Sequence, residues 1–475
     1  MLNCIKNSII FRAVTAAAAW FDRLWHESFI VTRVFSDRFG LKASEKSVFT
    51  RFFGWLHRLL CAVFRALHLT KILEGSIFKR TYLWCALTAF CAPILPTTCI
   101  IALALLSGVS LLLRLGCDER EKIAYAPQNK FVLLFIFVYA VATLTSVTPF
   151  GSLKGGVLTA YFALFSVILG TSVTTRRRLD ALVYLLIAAG TLVAAYGCYQ
   201  YAFGSLGAEA WIDSDMFSSI SNRVYSTLQN PNVLSEYLLL IIPVTFAFAF
   251  SEKNVWVRIL LICCALGMCL CMLVTFSRGG YLGLLIAAAA FLLIIDRRFF
   301  FAGLVLLAVV MLVLPESVIM RFASIGNMGD GSTSYRVSIW YGTIDMLRDY
   351  WLCGIGPGTA AFQKVYPVYS YSEAAAQHAH NLFLQLTCDC GVCGVGSFLL
   401  AVIAHFRGIG ASLLREGPGR SKLLQAGVVA SVLGFLVQSM TDNSFYNYRV
   451  QLLFWVFLML GALAGKRSGM PEDDG

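Results

Sequence analysis

Two groups of residues in this 475-residue chain have types and spacings that suit chemistry. The first is a set of arginines placed among apolar residues: Arg223 in "NRVYSTLQNPN", Arg278 in "FSRGG" and Arg336 in "SYRVSIW". Arginine keeps its charge at any ordinary pH, and its planar fork grips phosphate oxygens two at a time. A charge near a membrane core costs at least about 2.5–3.5 kcal/mol on insertion scales, which makes such residues functional candidates. Several of them meeting at one place would hold a diphosphate. The second group is "QHAHN", which sets His378 and His380 two apart with Asn381 next. Imidazole, with an ordinary pKa of about 6.5, takes a proton from a sugar hydroxyl near neutral pH.

Plainer readings stand beside these. Arg278 would also suit a snorkelling interface residue, and the following "GGYLG" fits close helix packing. Arg223 reads equally as a loop arginine, and Arg336 as a partner of Asp345 or Asp349 on its own surface helix. Arg321, Arg348, Lys364 and Arg449 are taken as solvated or structural. His-x-His invites a metal, but no carboxylate or cysteine at a familiar spacing completes a site, so none is expected. The glycines of "CGIGPGTAAF" do not follow a strand and make no dinucleotide fingerprint. They read as a tight turn, with backbone amides as weaker candidates for a phosphate.

The elements that position these residues follow from composition. Hydrophobic residues make up 58% of the chain and charged residues 13%, and the mean hydropathy is +0.74. Soluble domains carry about 25% charged residues. Apolar runs long enough to cross a bilayer recur, and they do not alternate as barrel strands do. The expected class is an all-α polytopic membrane protein of about twelve transmembrane helices. The spans fall near 81–97, 98–114, 131–148, 155–174, 179–203, 233–251, 257–276, 279–295, 297–315, 380–405, 421–439 and 449–465.

The net charge of +12 is uneven, since residues 1–80 hold 13 Lys/Arg against 5 Asp/Glu. That segment mixes basic and apolar residues and reads as a cytoplasmic extension of amphipathic helices on an anionic membrane surface, not as a nucleic-acid arm. No short basic region, apolar stretch and cleavage site opens the chain, so no removable signal peptide is expected. Most of the fifteen cysteines lie in apolar runs and act as small hydrophobes; "CDCGVCG" reads as a helix contact rather than a zinc site. With the N-terminus inside, the short basic loops, "TTRRRLD" and "DRR" among them, all fall in the cytoplasm. Two sizeable segments then lie outside, 204–232 and the larger 316–379, which is apolar enough to form surface helices. Residues 81–465 make the membrane domain and 466–475 a cytoplasmic tail.

In order, "RVYSTLQNPNVLSEYLLL", "FSRGGYLGLL", "SYRVSIWYGTIDMLRDYWLCGIGPGTAAF" and "HAHNLFLQLTCDCGVCG" resemble the O-antigen ligase and polymerase family of bacterial membrane glycosyltransferases, over roughly residues 130–465. The resemblance implies an enzyme at the outer face of the bacterial cytoplasmic (inner) membrane. It would move a glycan from an undecaprenyl-pyrophosphate carrier to an acceptor hydroxyl on a glycan, lipid or protein, with no cofactor or metal. It implies donor-pyrophosphate binding by Arg223, Arg278 and Arg336 and a catalytic His380, with His378, Asn381 and Asn232 supporting. Asp389 stands where the family has glutamate. Ligase is the leading expectation, and a polymerase of lipid-linked repeats is the alternative. A transporter or flippase of similar lipids, or a scaffold recruiting through the basic N-terminus, are the other readings.

Overall fold

Lipid offers no partner for a backbone amide, so a chain this apolar satisfies its amides within helices. Helices are the only extended regular elements among the described residues. The structure, a computed structural model, describes residues 48–124, 126–204, 223–327, 329–371 and 374–473. Most of the predicted basic extension (1–47) and of the predicted outer segment at 204–232 lies outside the described residues.

Two units form. In the first, residues 48–71 with 115–119, helix α1 (Val48–Ala66) carries an exposed apolar stripe of Phe52, Trp55, Leu56, Leu59 and Val63. Arg51, Arg58 and Arg65 run along the helix beside it, the amphipathic pattern expected of a surface helix. His57 Nε2 lies 2.9 Å from the Leu115 carbonyl, and Arg65 pairs with Glu119 at 2.8 Å.

The second unit is the bundle. Its helices are α2 (Thr81–Cys91), α3 (Thr97–Cys117), α4 (Asn129–Leu144), α5 (Pro149–Ser172), α6 (Arg176–Phe203), α7 (Pro231–Ser251), α8 (Val255–Val274) and α9 (Arg278–Ile295). They continue with α10 (Arg297–Val313), α11 (Glu316–Ala323), α12 (Gly331–Tyr350), α13 (Thr359–Val365), α14 (Leu382–Leu413), α15 (Arg420–Gln438) and α16 (Tyr448–Lys466). Each of the twelve expected spans overlaps one of these helices. Among the described residues, nine are long and apolar enough to cross a membrane, or ten if α10 and α11, bent by 119° at Pro315, count as one. Helices α2 and α4 are shorter apolar helices. The expected surface helices of 316–379 are α11, α12 and α13.

α7 and α16 are the innermost helices, and α7 packs against α8 and α15. α9 lies on α15, and at Gly283 and Gly434 the two backbones approach without a side chain between them. A Cβ on Gly283 would come within 2.7 Å of the Gly434 carbonyl oxygen, so "GGYLG" does serve a backbone-to-backbone contact. At one end of the bundle Asp180 pairs with Arg420 (3.1 Å) and Arg467 (2.8 Å), and Arg420 also reaches Glu252 (2.6 Å). The opposite end carries the starts of α7, α9, α14 and α16.

α14 is broken at Gly391, whose φ is +64°. The carbonyls of Cys388 and Asp389 are taken up by the N–H groups of Ile355 (2.6 Å) and Gly356 (3.2 Å), while Val392 N–H donates to Trp351 O (2.8 Å). A Cβ at Gly391 would lie 2.0 Å from the Leu352 carbonyl oxygen. The turn predicted around Gly354–Gly358 is thus a brace on α14. Its first amides are engaged there, which removes them as phosphate ligands. Cys388 and Cys390 are buried in this contact, and Cys198 and Cys353 are free thiols.

Gly434→Val should force α9 off α15 at a cost of about 1–3 kcal/mol. A lowered apparent melting temperature of the purified protein would report it. Gly267→Val, on an α8 face with nothing within 4 Å of the new Cβ, should leave it unchanged.

Candidate active site

At the end of the bundle where α7, α9 and α14 begin lies a cavity of about 1290 Å³. Arg223, Arg278, Arg336, His378, His380 and Asn232 all line it, although they come from four separate stretches of sequence. Helix starts also open on it: Asn232 and Val233 of α7, Arg278 and Gly279 of α9, Gly331 and Ser332 of α12. Their dipoles present positive ends, a setting for an anion.

Local sequence places each side chain. The α8–α9 connection is only three residues, and Phe276 adopts φ +51° to close it. Ser277 then caps α9 by accepting from Gly280 N–H (3.3 Å). Arg278 is thereby set at the first position of the helix, where NH2 pairs with Asp330 at 2.8 Å and NH1 donates to the Ser324 carbonyl at 3.3 Å. Arg223 is buried; Nε donates to Thr275 O (2.9 Å) and NH2 to Asn232 Oδ1 (3.0 Å). Burial, then the nearby charges of Arg321, Arg336 and Arg278, push its pKa down to about 9, so it remains cationic at neutral pH.

Asp330 is fully buried at the start of α12 and accepts from Thr333 N–H (3.0 Å). Burial disfavours its charge, but Arg278, Thr333 N–H and Arg321 outweigh it and hold the carboxyl below its ordinary range. Arg321, read as structural in the sequence, approaches Asp330 at 3.6 Å and also lines the cavity. Arg336 turns away from Asp345 and Asp349. Those carboxylates meet Arg348 (3.3 Å) and the Tyr369 hydroxyl (2.6 Å), and Arg336 pairs with Asp442 at 3.5 Å.

Asp442 is the residue that sequence reasoning missed. It lies in the short loop between α15 and α16, accepts from Asn232 Nδ2 (3.0 Å), and sits 3.4 Å from His380 Nδ1. That last approach falls short of the alignment of a hydrogen bond. Burial opposes its ionisation, yet His380 and Arg336 more than offset this and hold the carboxyl well below the usual range. The available signal was a lone carboxylate in a brief polar loop between two spans. Glu236 and Gln438 of the cavity wall were missed too, hidden inside apolar runs.

His380 stands at φ +45°, a left-handed conformation that costs a non-glycine residue about 1–2 kcal/mol. Its carbonyl accepts from Trp340 Nε1 (3.3 Å). Asn381 follows as the cap of α14, accepting from Leu384 N–H (3.0 Å) and donating to Met440 O (2.8 Å). Asn381 thus fixes the backbone, and it is absent from the cavity wall. Nδ1 is the ring nitrogen of His380 that faces the Asp442 carboxylate. His378 Nδ1 accepts from the His380 N–H (3.3 Å), and its ring lies 4.2 Å from that of His380 and 4.7 Å from Tyr446. Burial, then His380, lower the His378 pKa to about 4, so its ring is neutral at pH 7.

The cavity wall therefore sets four arginines beside the acidic side chains of Asp442 and Glu236, with the His380 imidazole facing Asp442. Such a wall has the charge to suit a polyanion. Arg449 instead donates to the carbonyls of Leu95 (3.3 Å) and Thr227 (3.2 Å), and Lys364 to Val147 O (3.0 Å). Asp389 lies below, accepting from Tyr139 (2.7 Å) and Gln385 (2.8 Å), while Gln385 also holds Ala379 N–H (2.8 Å). No group of three or more His, Cys, Asp or Glu side chains placed to hold a metal occurs among the described residues.

Residues 260–399 match the family model described as O-Antigen ligase. The matched stretch runs from α8 into α14 and carries Arg278, Arg321, Arg336, His378 and His380; Arg223 and Asp442 fall outside it. No curated protein matches the chain.

A neutral, half-buried His378 has a stability signature. Below about pH 6.5 the unfolded chain takes up a proton that the folded site resists down to about pH 4. Stability attributable to this residue should fall as pH drops through that window. The difference in thermal stability between wild type and His378→Gln, measured from pH 7.5 to 4, should narrow accordingly.

Proposed function

We propose that this chain, whose residues 260–399 match the family model described as O-Antigen ligase, moves a glycan from an undecaprenyl-pyrophosphate carrier to an acceptor hydroxyl at the outer face of a bacterial cytoplasmic membrane. The family supports glycan transfer of ligase or polymerase type; ligase is our reading of this chain. The observation that carries the proposal is one cavity holding Arg223, Arg278, Arg321 and Arg336 beside the Asp442–His380 pair.

In the proposed reaction the arginines and helix starts hold the diphosphate, the anomeric carbon faces His380, and Nε2 accepts the proton of the acceptor hydroxyl. A bond forms from the acceptor oxygen to the anomeric carbon as the carbon–oxygen bond to phosphate breaks. The electron pair leaves with the diphosphate, and the arginines stabilise the charge that grows there. Asp442 stabilises the imidazolium that forms, the role a carboxylate has behind any histidine base.

Counting α2, α4 and the α10–α11 pair as crossings gives twelve spans. The basic cluster of Arg420 and Arg467 then falls inside and the cavity outside. A transporter would line a path through mid-span, whereas these ionisable groups gather at one end and the other end is tied by the Asp180 network.

Purified protein reconstituted in lipid with an undecaprenyl-linked oligosaccharide and candidate acceptors should form the transferred product. His380→Ala should lower turnover about 10²–10⁴-fold. Arg278→Ala should lower it about 10²-fold or more, in protein that still purifies as a folded species. Wild-type turnover in either variant removes the role assigned to that residue.

A further inference from the structure

A second cavity, about 390 Å³, opens beside the first. Gln377, His378, Asn443 and Tyr446 belong to the walls of both, so the two spaces adjoin across these side chains. Its size is that of an ordinary small-molecule site, and its chemistry differs from its neighbour's. Instead of four arginines it has one cation, Lys154, against one buried carboxylate, Asp389. Thr159 and Tyr448 supply hydroxyls, and the aromatic rings of Phe445, Tyr446 and Tyr448 offer flat faces to C–H groups. Asn443, only 8% exposed, has a side-chain oxygen that accepts no hydrogen bond from the protein. A buried polar atom left so costs about 1–3 kcal/mol, and a ligand hydroxyl would satisfy it.

We propose that this second cavity receives the sugar end of the acceptor, whose attacking hydroxyl reaches His380 past the His378 ring. The proposal rests on the glycan-transfer reading above, since a transfer needs two ligands meeting within about 3–3.5 Å. Diphosphate and acceptor are sorted by charge. The arginine wall takes the anion, and the near-neutral, hydroxyl-bearing wall takes the uncharged sugar. The ring distance of 4.2 Å between His378 and His380 sets where the two meet.

The test is photolabelling of the full chain in lipid nanodiscs with a mixed set of p-azidophenyl glucoside, galactoside and N-acetylglucosaminide, mapped by peptide mass spectrometry. Label is expected on residues 149–160 or 443–448, and it should persist under excess farnesyl diphosphate. Gly155→Leu, which grows a side chain into this cavity from α5, should reduce it at least fivefold; the new Cβ itself meets nothing closer than 3.5 Å. Should that variant not purify as a monodisperse species, Tyr448→Phe gives the same comparison by removing one hydroxyl. Absence of label there, its loss to farnesyl diphosphate, or indifference to the variant that purifies each overturns the proposal. Failure of the transfer reading is separate, since it appears as wild-type turnover in His380→Ala.

Discussion

One carboxylate gathers this site. Asp442 receives Asn232 from α7, faces Arg336 from α12 and lies against His380 at the entry to α14, while its own loop joins α15 to α16. Those elements are far apart in the chain, and helix packing brings their ends to one place. A half-buried anion is tolerated only because several donors surround it. The need to surround it keeps His380, Arg336 and Asn232 together. Asp330 plays the same part for Arg278 and Arg321.

The two centres divide the labour. Around Asp330 the positive charges are held side by side against their mutual repulsion, which an arriving diphosphate would relieve. Around Asp442 the carboxylate faces one nitrogen of the His380 ring and the Arg336 guanidinium at once. Backbone strain appears at the two places where a functional side chain must be aimed from a tight connection, before Arg278 at Phe276 and at His380 itself.

Much of this was legible from residue types. Long apolar runs mark helices because lipid permits little else. Arginines inside them stand out because their charge is expensive there. His378 and His380 stand out by rarity. What sequence could not supply was pairing across long separations. Arg336 has carboxylates nine and thirteen residues ahead, so a local partner looked natural, and its actual partner lies 106 residues away. Asp442 carries no distinguishing neighbour. Arg321 resembles any surface-helix arginine until α11 bends back at Pro315. Asn381, adjacent to the catalytic candidate, looked functional by position, whereas its amide is engaged in capping. Span count is a matter of length: α2 and α4 are apolar but short.

The interruption of α14 at Gly391 gives the site a sideways dependence. A continuous helix would tie the imidazole to the depth of the bilayer beneath it. Here the upper turns, Leu382 to Cys390, hang instead on the strip from Trp351 to Gly356, through bonds to the carbonyls of Cys388 and Asp389. The lower half of α14 can therefore take its own direction below Gly391, while the turns that carry His380 stay braced to Ile355 and Gly356.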